Sequence, residues 1–157
     1  MPQSDYLLRL LEQAAQLLRQ ITLQRGAGAP DSAIQSVIDG TERLFGLKVT
    51  ELWSLDSEEL YSQLTREENP RDARDKCLVF AALAYQAGLA YADKDLPALS
   101  QPAFHLALVF TLLALARFPG ADLPQFTPSV DDLLSRLDGF ALPESTAELL
   151  ADYKAAR

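Results

Sequence analysis

Sixteen residues from Ala103 to Phe118 read AFHLALVFTLLALARF, and only His105 and Arg117 among them can carry a charge. A helix that is apolar all round has to be enclosed, by a membrane or by the other helices of a bundle. A bilayer span takes about 20 predominantly apolar residues. This run starts after Pro102, is closed by Arg117 and Pro119, and contains Thr111 as well as His105. Its length points to the interior of a bundle, so the rest of the chain has to supply the cover.

The rest of the chain is patterned to do so. No stretch alternates Val, Ile or Thr with polar residues, and no Asn-Gly or Asp-Gly turn joins two apolar runs. Helical periodicity recurs instead. Leu7, Leu11, Ala14, Leu18 and Ile21 step by four and three, with Leu8, Leu10, Ala15 and Leu17 widening the face and Ser4 placed to cap the helix. The turn Gly26-Ala27-Gly28-Ala29-Pro30 ends that helix, and Ser32 with Gln35 has the spacing of a capping box opening the next. Asn69-Pro70 and Thr127-Pro128 restart the chain in the same sense, a cap followed by proline at the first helical position. Between them Ala73, Cys77, Phe80, Ala84, Ala87 and Tyr91 form a second seam. The reading is all-α: a bundle of six to seven antiparallel helices over 5–24, 32–45, 57–67, 70–92, 98–118, 128–138 and 143–155, in a single domain spanning 1–157. The pair from Pro70 to Phe118 is its expected core.

Charge and cysteine content narrow the function classes. With 14 basic and 22 acidic residues the net charge is -8, and no basic stripe collects phosphates. Nucleic acid and an anionic membrane surface are therefore not expected partners. The single cysteine, Cys77, excludes an internal disulfide and fits a reducing, cytoplasmic setting. The opening residues MPQSDYLLRLLEQ have Asp5 and Glu12 beside the first leucines and no cationic stretch, unlike a secretory signal.

The spacing of Gly88, Tyr91, Phe104 and Ala107 resembles four positions of a tetratricopeptide repeat. The resemblance covers about a third of the chain, and Ala84, Ala87, Ser100 and Leu112 depart from the residues the repeat prefers. It implies a right-handed stack of helical hairpins that presents a groove to a peptide. Two further segments, Asp5-Tyr6-Leu7-Leu8-Arg9-Leu10-Leu11-Glu12-Gln13 and the stretch from Leu142-Pro143-Glu144 to Tyr153, resemble a small bacterial family of helical proteins of unknown function. That likeness implies a fold and no activity.

The catalytic inventory is thin. His105 has no acidic residue or second histidine at helical ligand spacing, and no metal or cofactor is expected. Cys77 lies on an apolar seam, where a cysteine acts as a small hydrophobe. Gly26 and Gly28 follow a helix and lack the lysine of a phosphate-binding loop. Arg71 to Lys76 pairs opposite charges four apart, as on a solvated first turn. Asp131 and Asp132 suit the first turn of a helix, where acid complements the dipole. Tyr85, Tyr91 and His105 are the candidate binding residues, with Tyr85 and Tyr91 on different faces of one helix. Trp53 is expected to anchor a loose segment. Leu7, Leu11 and Leu18 are candidates for a homodimer contact, if they do not pack within the chain. The expected function is a non-enzymatic module that binds another protein or itself. The alternative is a small-molecule-binding protein or enzyme with a pocket between the central helices near His105.

Overall fold

The computed structural model describes residues 5–47, 56–118 and 122–156. Its helices are α1 (Asp5–Gly26), α2 (Pro30–Phe45), α3 (Ser57–Thr65), α4 (Pro70–Asp93), α5 (Pro97–Arg117), α6 (Val130–Arg136) and α7 (Glu144–Ala155). No strand occurs among the described residues. Ser4, the expected turn from Lys48 onward and Trp53 lie outside them.

The architecture is an all-α bundle built on the α4–α5 hairpin, which makes the most extensive helix contact. α1 and α2 pack on each other and on α4, α3 covers α4 and touches α5, and α6 and α7 pack on α5. Phe80 and Phe110 meet edge-on at 4.8 Å between ring centroids, and Phe45 of α2 adds a third ring 6.3 Å from Phe80. α4 and α5 approach closely because Gly88 has no side chain: a Cβ there would stand 2.5 Å from the Phe104 ring.

α5 runs 21 residues, with Pro102 inside it, and by length and composition alone it is long and apolar enough to cross a membrane. The shorter run read from sequence therefore gave a criterion that the whole helix does not meet. Within the protein, 67% of its most apolar window is buried, as in the core helix of a bundle.

Local signals set most helix ends. The Asn69 side chain accepts a hydrogen bond from the Asp72 amide at 2.9 Å and Pro70 opens α4. Asp56 caps α3, and Ser129 caps α6 by accepting from the Asp132 amide at 3.2 Å. Gly46 closes α2 in a left-handed conformation, φ 69°. Two expected starts move. α2 begins at Pro30, so Ser32 and Gln35 lie inside the helix and form no capping box; proline pre-sets the helical φ two residues earlier. α6 begins after Ser129, because the Thr127 hydroxyl donates to the Pro124 carbonyl and holds a turn there instead.

The charged start of α4 is the larger correction. Asp72, Arg74, Asp75 and Lys76 are 2%, 3%, 0% and 9% exposed, not a solvated turn. Pairs other than the four-apart ones form here. Arg74 Nε donates to Asp75 at 3.0 Å and its Nη2 to the Asp122 carbonyl at 3.1 Å, Arg71 pairs with Asp122, and Lys76 Nζ lies 3.3 Å from Glu68. The physical reason is that residues after α5 and before α4 fold over the first turns of α4. Buried charge survives there because it is paired.

Two substitutions test this packing. Gly88→Ala should lower stability by roughly 1–3 kcal/mol, since the stiff, enclosed Phe104 ring has to move. Arg74→Leu should lower stability by up to about 3–5 kcal/mol, because it takes one guanidinium away from the buried Asp75 carboxylate. Chemical denaturation monitored by circular dichroism measures both.

Candidate functional site

α1 crosses one flank of α4, and the 125–132 segment leading into α6 crosses the other. Between them a strip of α4 is left uncovered. Ala82, Tyr85 and Gln86 occupy that strip at one-turn spacing and form the floor of an open cleft of about 790 Å³. The α1 wall carries Ala15, Leu18, Arg19, Thr22 and Leu23; Phe126, Pro128 and Ser129 stand opposite. A cleft arises because an inter-helix seam needs two neighbours, and α1 and α6 are not a packed pair.

Polar contacts fix the α6 side of the cleft. The Tyr85 hydroxyl donates to the Asp132 carboxylate. Arg136 Nε donates to the same carboxylate at 3.2 Å, and its guanidinium lies 5.8 Å from the Tyr85 ring centroid and 5.5 Å from that of Phe104. Tyr85 and Phe104 are themselves 5.9 Å apart. Burial raises the tyrosine pKa and the neighbouring carboxylate raises it further, while the hydroxyl's hydrogen bond lowers that of Asp132. The pair is thus a neutral phenol against a carboxylate, an arrangement that holds position and supplies no base of useful strength. Asp132, read from sequence as a helix-dipole residue, is also the tie between α6 and α4.

The other candidate residues fall elsewhere. Tyr91 is buried in the core, and His105 is half-buried beneath α7. His105 Nε2 shares a hydrogen bond with the buried Thr146 hydroxyl at 2.8 Å, and its ring stacks at a tilt on Phe140, 5.5 Å away. It does not line the cleft. Cys77 is fully buried, and burial pushes its thiol up to about 12, so it is not a poised nucleophile. Among the described residues, no three His, Cys, Asp or Glu side chains converge as a metal site.

The α1 leucines divide into two stripes. Leu7, Leu10, Ala14, Leu17 and Ile21 step by three and four and face the interior. Leu7 is fully buried there, so it offers nothing to a partner. Leu8, Leu11, Ala15 and Leu18 repeat the same rhythm one residue on, graded from exposed Leu8 through half-buried Leu11 to buried Leu18. The signal for the second stripe was present as an apolar face too wide for one seam. Nothing in the sequence marked Arg19, Leu23 or Gln86, which reach the cleft only through the crossing of α1 over α4.

Burial lowers the His105 pKa below its ordinary value of about 6.5. In the unfolded chain the imidazole therefore takes up its proton first, and protonation favours unfolding. The contribution to stability is complete above about pH 6.5 and is lost as pH falls toward the folded value. Urea denaturation from pH 7 down to about pH 5 should show this decline in the wild type and not in His105→Gln.

Compared with protein-family models, with curated proteins and with solved structures, the chain finds no significant match.

Proposed function

We propose that this chain is a non-enzymatic interaction module, a repeat-like helical scaffold that binds another protein chain. The open cleft floored by Tyr85 carries this reading. Its lining surface is largely apolar, its floor lies on the central helix, and its polar edge is held in place by Asp132 and Arg136. Leu23 on its rim is 74% exposed, the highest of the large apolar side chains exposed among the described residues. An aliphatic group held that far into water beside a groove suits a partner's contact. The close packing of Gly88 on Phe104 supports treating α4 and α5 as the repeat-type hairpin that the sequence resembles. The buried, weakly acidic thiol of Cys77 and the satisfied imidazole of His105 favour binding over catalysis.

The same cleft favours a second reading, small-molecule binding. Its volume lies in the range of about 300–1,000 Å³ typical of ligand sites. This moves the alternative from His105 to Tyr85.

The experiment is capture of the tagged protein from lysate of its own source, read by mass spectrometry for retained proteins and retained small molecules. Thr22→Trp is the control: Thr22 is exposed on the cleft wall, so the indole occupies the cleft without entering the core. The expected result is a near-stoichiometric protein that Thr22→Trp no longer retains. A metabolite retained in its place and lost in the same variant would replace this reading with the second. Retention unaffected by Thr22→Trp would remove the cleft from either.

A further inference from the structure

We infer that the open face of α1 pairs, antiparallel, with α1 of a second copy of this chain. This deepens the interaction reading by naming one partner, and it rests on a different surface, the outer side of α1, that meets the cleft at its rim.

At 100° per residue, Leu8, Glu12, Ala15, Gln16, Arg19 and Leu23 fall within about 100° of one another on α1. This is the solvent side: Leu8 is 44% exposed, Leu23 is 74% exposed, and Glu12, Gln16 and Arg19 are exposed too. The order of these residues is self-complementary. Leu8 and Leu23, Glu12 and Arg19, and Ala15 and Gln16 are each equidistant from the midpoint between Ala15 and Gln16. A two-fold axis through that midpoint sets Leu8 against the partner's Leu23 and Glu12 against the partner's Arg19, and each pair then occurs twice. Parallel pairing would instead set Glu12 against the partner's Glu12 and Arg19 against the partner's Arg19. Charge therefore selects the antiparallel arrangement.

Three further features fit. Ala15 at the crossing point lets two helices come to an interaxial distance of about 8–10 Å. Glu12 and Arg19 take part in no ion pair among the described residues, so neither has to leave one to meet the partner. Leu8 and Leu23 are two of the six exposed large apolar side chains among the described residues, and the pairing covers both. Because Arg19 and Leu23 also line the cleft, a partner copy lies across its rim, and self-pairing competes with any ligand that contacts them.

One pair of helices buries less than the ~1,200 Å² of a standard interface, so the dimer belongs to the weak, concentration-dependent class. Sedimentation equilibrium from about 1 µM to about 1 mM spans that class. The wild type should pass from monomer to dimer in this range. Glu12→Arg and Arg19→Glu should each weaken the dimer by about tenfold or more, since each turns two attractive contacts into two repulsive ones. The double exchange Glu12→Arg with Arg19→Glu should restore it, an outcome specific to this register. Leu23→Lys should weaken it comparably. All three positions are exposed, and unchanged thermal melts confirm that the variants fold. A wild type monomeric throughout overturns the inference, as does a dimer that none of these substitutions moves or that the double exchange fails to restore. Capture through the cleft, lost on Thr22→Trp, would survive either outcome, so the two readings fail separately.

Discussion

The contact between α4 and α5 is the constraint on which the rest of the structure depends. α5 has apolar side chains on all sides, and most of α4 from its first turn to Tyr91 is buried. Two such helices are stable only if every side of the pair is covered. Their mutual face closes because Gly88 admits the Phe104 ring and because Phe80 meets Phe110. The other five helices can be understood as cover, each amphipathic and each laid on a side of the pair that would otherwise face water. The cleft is where this cover is incomplete, since α1 and the approach to α6 leave a strip of α4 between them.

Burying the charged start of α4 follows from the same demand. The segments laid over the start of α4 enclose its polar first turns, and Arg74, Asp75 and Lys76 then need partners. Asp122 and Glu68 supply some of these from outside the helix. Desolvated ions are costly to separate, so the residues flanking α4 are fixed in place relative to it. The Tyr85–Asp132–Arg136 contact fixes α6 in the same way farther along α4. The α6 wall of the cleft is therefore tied to α4 at both ends, by Asp122 and by Asp132.

Much of the fold was legible because it rests on local rules. The seam through Cys77, Phe80, Ala84 and Tyr91 and the cap at Asn69-Pro70 depend on residues a few positions apart, and the structure has both. What misled were local patterns that a competing pattern overrode. Ser32 and Gln35 satisfy a capping box, yet Pro30 starts the helix first. Arg71 to Lys76 satisfy the four-apart ion-pair rule of a solvated turn, yet tertiary cover buries that turn and adds Asp122 and Glu68 as partners. The cleft was scarcely legible, since it joins α1, α4 and the approach to α6 across the chain. Tyr85 could be singled out as an amphipathic aromatic, but its partner Asp132 looked like an ordinary first-turn acid. The second stripe on α1 was visible only as surplus width.

The turn between α4 and α5 spans three residues, from Lys94 to Leu96. The most extensive contact in the protein is thus also one of its most local in sequence, and such contacts close quickly with little loss of chain entropy. Synthesis runs the other way. α1, α2 and α3 leave the ribosome before the helices they cover exist, and at about 5–20 residues per second several seconds pass before Arg117 follows. During that interval α1 and α2 have mainly each other to pack against, and the faces that later meet α4 stay wet. The nascent chain therefore keeps apolar faces wet until that hairpin is complete, and the side of α5 that α6 and α7 cover stays wet until they follow.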